Sequence, residues 1–201
     1  MQNEFIGKKI PQSFYAINTL DLAKALLGKI FCHHLNGIPL CGKIVETEAY
    51  ITPHDEACHA HRGKTPRNAP MFGPAGSLYV YFTYGNHFML NIVAEPEGNA
   101  AAVLIRALEP ISGIEIMQTH RNMQEIKQLT NGPGKLTQAL QINRRHSGLS
   151  LQSDVMFLCE SNQYPPFEIG SSTRVGITKS RHFPWRYFIK HNPYVSKGKP
   201  S

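Results

Sequence analysis

Glu46, Glu48 and Tyr50, in Ile-Val-Glu-Thr-Glu-Ala-Tyr (44–50), share one parity and project from one face if the stretch is a strand. A carboxylate held on a strand can take a proton from water and stabilise positive charge developing beside it. A second block, Leu-Tyr-Val-Tyr-Phe-Thr-Tyr-Gly (78–85), sets Tyr79 and Tyr81 on one face and Tyr84 just before a Gly-Asn turn signal. Two glutamates alone would read as a solvated sheet face. Their company changes the reading: Tyr50, a loop with Cys58, His59 and His61, and Arg106 behind the apolar Val103-Leu104-Ile105. Arg106 is expected to be largely buried and so to need a carboxylate or carbonyl, with Glu109 and Glu46 as candidates. Carboxylates and aromatic rings on rigid strands point to chemistry on a flat base borne by a charged polymer.

The chain has 201 residues, with 21 Lys and Arg against 14 Asp and Glu, a formal charge of +7. That balance favours polyanions, although charge alone decides little. His59 and His61 alternate near Asp55 and Glu56, but no further ligand follows at metal-binding spacing, so neither metal nor cofactor is expected. The four cysteines form no C-x-x-C pair, and the first twenty residues mix charged and apolar types without a signal-peptide core. The apolar run 100–105 is too short to span a bilayer. A reduced protein of the bacterial cytosol is the expectation.

The elements that must position these residues follow from local signals. Asn18-Thr19 caps a helix that Gly28 stops. Lys29–Leu35 and Ile38–Tyr50 form a hairpin around Asn36-Gly37, which sets Cys32 opposite Cys41. A disulfide fits there, but paired free thiols suit a reducing compartment better. Residues 52–77, rich in Pro, Gly, His and Arg, read as a long site-lining loop in which Thr65-Pro66-Arg67-Asn68 exposes Arg67 to phosphate. A second hairpin joins 78–83 to 88–93 and carries Tyr84 at its tip, where an exposed ring has the shape of a wedge that enters a base stack. Tyr79 covers the sheet, whereas Tyr81 is suited to be a stacking wall. Residues 101–108 are a buried strand, and Pro110 begins a helix near 112–120. Gly132-Pro133-Gly134 precedes a helix over 135–142, placing Lys135 beside an N-terminus suited to an anion. Short strands are expected at 155–159, 174–178 and 187–189. The fold expected is α+β, a single domain over 1–195 with a curved antiparallel sheet, hairpins and surrounding helices, and a disordered basic tail over 196–201.

Seven blocks in order carry a resemblance: residues 44–50, Asp-Glu-Ala-Cys-His (55–59), 65–68, 78–85, Leu-Ile-Arg-Ala-Leu-Glu-Pro (104–110), Gly-Pro-Gly-Lys-Leu (132–136) and Arg-Val-Gly-Ile (174–177). Together they resemble the alkyladenine (3-methyladenine) DNA glycosylase family, of mammalian type and bacterial size. The resemblance implies that Glu48 activates the attacking water, which Arg106 and the Val175 backbone carbonyl help to hold. It implies that Tyr50 on one side, with His59 and Tyr81 on the other, sandwiches a flipped base. Asn91 would crowd the exocyclic amine of guanine, and Tyr84 would be the intercalating wedge. The activity implied is monofunctional excision of alkylated purines (3-methyladenine, 7-methylguanine, and also hypoxanthine or ethenoadenine) from double-stranded DNA, by a monomer without cofactor or lyase activity. With an ordinary pKa of about 4.3, Glu48 would be ionised at neutral pH. Three features depart from the family: Asn86-His87 after Gly85, Cys58 beside His59, and Glu95 and Glu97 in a loop expected to meet DNA. A stacking module without catalysis and a small-molecule nucleoside hydrolase are the alternatives.

Overall fold

Asn36 and Gly37 both take positive φ, 51° and 80°, the twist that lets a two-residue turn join adjacent antiparallel strands. The computed structural model describes residues 7–83, 85–161 and 165–198. In chain order its main elements are α1 (Thr19–Ala25), β1 (Ile30–Leu35), β2 (Ile38–Ile51), β3 (Leu78–Thr83), β4 (His87–Val93), β5 (Ala101–Ser112), α2 (Ile114–Arg121), α3 (Pro133–Ala139), β6 (Met156–Cys159), β7 (Ile169–Ser172) and β8 (Arg186–Ile189). Eight strands form one curled antiparallel sheet in the order β3-β4-β5-β2-β1-β6, with β7 reaching it through β8. The class is α+β, a single domain.

β2 is the hub. β5 runs along one of its edges, while β1 and then β8 share the other, so both edges of residues 46–48 are paired. The core holds Val45 and Ala49 of β2, Val103 and Ile105 of β5, Val80 and Leu90 of the second hairpin, Leu22 of α1 and Leu136 of α3. Such burial stabilises by about 25 cal/mol per Å² of apolar surface. Asn18 caps α1 by accepting from the Leu20 N–H at 3.0 Å. No helix among the described residues is long and apolar enough to cross a membrane.

Several expectations change. Cys32 and Cys41 face each other in register with Cα atoms 4.3 Å apart, and they are joined as a disulfide where free thiols were expected. Pro110 starts no helix: β5 continues to Ser112, and α2 begins only after Gly113 turns the chain with φ 74°. Residues 174–178 form a loop, because their backbone is turned toward the site described below. The segment 52–77 is far from structureless. Buried Asn68 holds it, donating to the carbonyls of His59 and Gly63, both at 2.9 Å, and accepting from the Thr65 N–H at 2.6 Å. The tail expected to be disordered from residue 196 is tied down at its start, because Ser196 is buried against a carboxylate.

Candidate active site

A double irregularity in the β2–β5 ladder builds the site. Ile44 pairs with Leu108 and Glu46 with Ala107, which leaves Val45 unopposed; Thr47 then pairs with Ile105, which leaves Arg106 unopposed. Bulges of this kind re-aim a side chain, and here the freed residue is the arginine. Arg106 Nε donates to Glu46 Oε1 at 2.9 Å, and its Nη1 lies 3.3 Å from Glu48 Oε1. Arg186 Nε, from β8, also donates to Glu46 Oε1, at 2.7 Å. Ser196 completes the shell, with its N–H on Glu46 Oε2 at 2.7 Å and its hydroxyl on Oε1 at 2.9 Å. Two buried carboxylates thus meet two guanidiniums, which balances charge where solvent cannot.

Glu48 is 0% exposed. Its Oε1 accepts from the Val175 N–H at 2.7 Å, and its Oε2 accepts from the Tyr50 hydroxyl at 2.9 Å. Burial raises its pKa above the ordinary carboxylate value, against the opposing pull of Arg106, the Val175 amide and the Tyr50 hydroxyl. An unperturbed glutamate was the expectation. The structure gives one whose basicity is strengthened.

In front of this carboxylate lies a cavity of about 320 Å³ whose lining includes Tyr50, His59, Tyr81, Asn91, Arg106 and Val175. Its floor is a small apolar cluster that includes Met71, Tyr79 and Ala102. The His59 ring meets the Tyr81 ring edge-on at 4.4 Å, and its Nδ1 lies 2.9 Å from the Tyr79 hydroxyl. Burial first, and then Arg67, lower the His59 pKa, so this wall is neutral at pH 7. Asn91 is buried and fixed, its amide donating to the Tyr79 carbonyl at 3.0 Å. The arrangement is a cavity lined by aromatic rings, with a buried basic carboxylate bonded to its lining.

A family model described as methylpurine-DNA glycosylase matches residues 13–193. The chain belongs to the methylpurine-DNA glycosylase family. It is 52% identical over 194 residues to a protein of Chlorobaculum tepidum, which covers 96% of this chain and 93% of that one. It is 50% identical over 190 residues to one of Chlorobium phaeobacteroides strain BS1, covering 94% of this chain and 96% of the relative. A protein of Carboxydothermus hydrogenoformans is 46% identical over 189 residues, with coverage of 94% and 98%. All three carry the name "Putative 3-methyladenine DNA glycosylase".

Of the residues anticipated for a methylpurine-DNA glycosylase, Tyr50, His59, Tyr81, Asn91, Arg106 and Val175 share the cavity, and Glu48 is bonded to three of them. Val175 contributes its amide N–H to Glu48, a role that the resemblance, which concerned its carbonyl, did not supply. Arg67 lies outside the cavity lining, with Nη2 3.4 Å from the Phe82 carbonyl. Lys135 opens on a separate cleft of about 370 Å³ with Lys127 and Lys197, and its Nζ donates to Asn131 at 2.8 Å. Tyr84 lies outside the described residues. Glu95, in the loop expected to meet DNA, accepts from the Thr19 hydroxyl at 2.6 Å at the start of α1. Burial pushes the Cys58 thiol up to about 11, which leaves it a packing residue rather than a reactive thiolate. Among the described residues no group of three or more His, Cys, Asp or Glu is placed to hold a metal ion.

The sequence reading missed Arg174. Fully buried, it grips Asp55 with two nitrogens, at 2.6 and 2.7 Å, and donates to the Ala49 carbonyl at 2.9 Å. Its guanidinium also lies 4.6 Å from the Tyr50 ring centre. The only sequence signal was its position directly before Val175.

Proposed function

We propose that this chain is a monofunctional DNA glycosylase that removes alkylated purines in base excision repair, with Glu48 as the base that activates water. The observation that carries the reading is a buried, basicity-raised carboxylate bonded to Tyr50, Arg106 and Val175, three residues that line one aromatic slot.

A base turned out of the duplex fits between Tyr50 and the wall of His59 and Tyr81, where ring stacking holds every purine and positive charge adds attraction. Asn91, fixed by its bond to Tyr79, crowds the exocyclic amine of guanine and so favours adenine-derived lesions. Glu48 Oε1 accepts from the Val175 N–H and faces the Arg106 charge, and Oε2 accepts from the Tyr50 hydroxyl, which leaves a lone pair on Oε2 for a water O–H. As the bond between base and sugar breaks, the sugar gains oxocarbenium character; Glu48 stabilises that charge and takes the proton of the attacking water. Arg106 holds the carboxylate by charge and holds Glu46 beside it. No lysine lies among the described residues lining the slot, so no amine is placed for a Schiff base and lyase step. Tyr84 fills the space the base leaves, and Lys135 contacts backbone phosphate.

The test is single-turnover excision on duplexes carrying 7-methylguanine, hypoxanthine or ethenoadenine, with wild type beside Glu48→Gln. Free base released by wild type alone, with the abasic strand left intact, is the expected result. Release at equal rates by Glu48→Gln removes Glu48 from the mechanism, and strand cleavage at the abasic site removes the monofunctional assignment.

A further inference from the structure

Each tyrosine wall of the slot has an arginine against it. The Arg174 guanidinium lies 4.6 Å from the ring centre of Tyr50, and that of Arg67 lies 5.5 Å from the ring centre of Tyr81. Both rings line the cavity and neither arginine does. Each cation therefore stands against a wall ring without entering the cavity lining.

The two arginines are not equivalent. Arg174 is neutralised by a two-pronged bond to Asp55. Arg67 has no carboxylate within ion-pair distance among the described residues; its guanidinium lies 3.4 Å from the Phe82 carbonyl and also acts on the Tyr79 hydroxyl through a hydrogen bond and its charge. Its charge is felt at the slot, because after burial it is the second cause of the lowered His59 pKa.

A ring face attracts a cation through its quadrupole, and a guanidinium already against that ring draws on the same electron density. It also sets a like charge within roughly 10 Å of a base stacked on that ring, a repulsion that low salt strengthens because Arg67 is exposed. A neutral base suffers neither effect and keeps its stacking. Resting on the reading of the slot as the seat of a flipped purine, we infer that Arg67 is a specificity-determining residue: its uncompensated charge against Tyr81 lowers the preference for cationic lesions, such as 3-methyladenine and 7-methylguanine, relative to neutral ones such as hypoxanthine. This role differs from the phosphate contact first expected of it.

The experiment is single-turnover excision at saturating enzyme, which removes DNA affinity from the rate, on duplexes carrying 7-methylguanine or hypoxanthine. Arg67→Gln is expected to raise the ratio of cationic to neutral excision about two- to fivefold, and Arg67→Glu to raise it further. An unchanged ratio, with both rates falling together, makes Arg67 a DNA-backbone contact and overturns the inference alone. A ratio that falls overturns it too. A wild type that releases neither base overturns the glycosylase reading, and the inference falls with it.

Discussion

The amide N–H of Val175 donates to Glu48 Oε1 at 2.7 Å, joining residues 127 positions apart in the chain. With the Tyr50 hydroxyl it is one of two donors that, beside the charge of Arg106, hold a carboxylate with no exposed surface, and burial still wins, raising the Glu48 pKa. The base form of Glu48 is therefore lost at a higher pH than for an ordinary glutamate at about 4.3. Excision of 7-methylguanine, which leaves without acid assistance, is expected to fall on the acid side along a limb above that value. Tyr50→Phe keeps the ring and removes one donor, so its limb moves higher still. A pH–rate profile of single-turnover excision checks both; a limb at or below 4.3 would falsify Glu48 as the base.

The same shift has a stability consequence. A carboxyl whose folded pKa is raised contributes stability that is complete below its unfolded pKa and lost as pH rises through the folded one. At neutral pH, charged Glu48 is a net cost to the fold. Glu48→Gln is expected to melt no lower than wild type at pH 7, with any gain shrinking as pH falls toward 4. Thermal melts across that range decide it, and a Tm several degrees lower at pH 7 contradicts it.

Arg174 and Asp55 are each 0% exposed and bound to each other at two points. Removing one partner leaves a buried charge alone, at a cost of about 3–5 kcal/mol. Arg174→Met and Asp55→Asn should each lose that much in urea unfolding, while the double substitution loses less than the sum. Additive losses would mean that the two act separately.

How much of this was legible depended on distance along the chain. The Asn36-Gly37 turn and the shared parity of Glu46, Glu48 and Tyr50 are local patterns, and both appear in the structure. Arg106 was legible as a charge inside an apolar run, although the bulge that aims it leaves no residue signature. Ser196 and Glu46 are 150 positions apart and Arg174 and Asp55 are 119 apart; no periodicity encodes such pairings. In Thr65-Pro66-Arg67-Asn68 the eye goes to the charged residue, yet Asn68 is the one that fastens the loop. β7, Ile-Gly-Ser-Ser, has too little alternation to read as a strand.

Ser196 holds Glu46 through both its backbone and its hydroxyl, so this end of the described chain belongs to the site rather than to a loose tail. A hydrogen bond to a charged group contributes about 1.5–3 kcal/mol. Ser196→Ala should lose stability at the lower end of that range, and its excision should slow because Glu46 and Arg106 share the freed contact. Deletion of 196–201 should cost more, since the backbone donor goes as well. Urea unfolding beside single-turnover rates tests this, and a deletion with wild-type stability and rate returns the segment to the role of a solubilising tail.

Gly134 lies where α3 meets the second hairpin, and a Cβ placed there would stand 2.7 Å from Cγ of His87. The His87 ring cannot yield like the end of a flexible chain, so Gly134→Ala must push β4 away from α3 or distort the helix, at about 1–3 kcal/mol. The Glu48 network is on other strands and should keep its geometry. The expected result is weaker binding to damaged duplex with a nearly unchanged single-turnover rate at saturating enzyme, because the displaced element is the hairpin whose tip is proposed to meet DNA. Equilibrium binding to an abasic-site duplex and excision rates measured on the same preparation separate the two quantities. A large fall in the saturated rate with unchanged binding would show instead that the α3 contact sets the geometry of the slot.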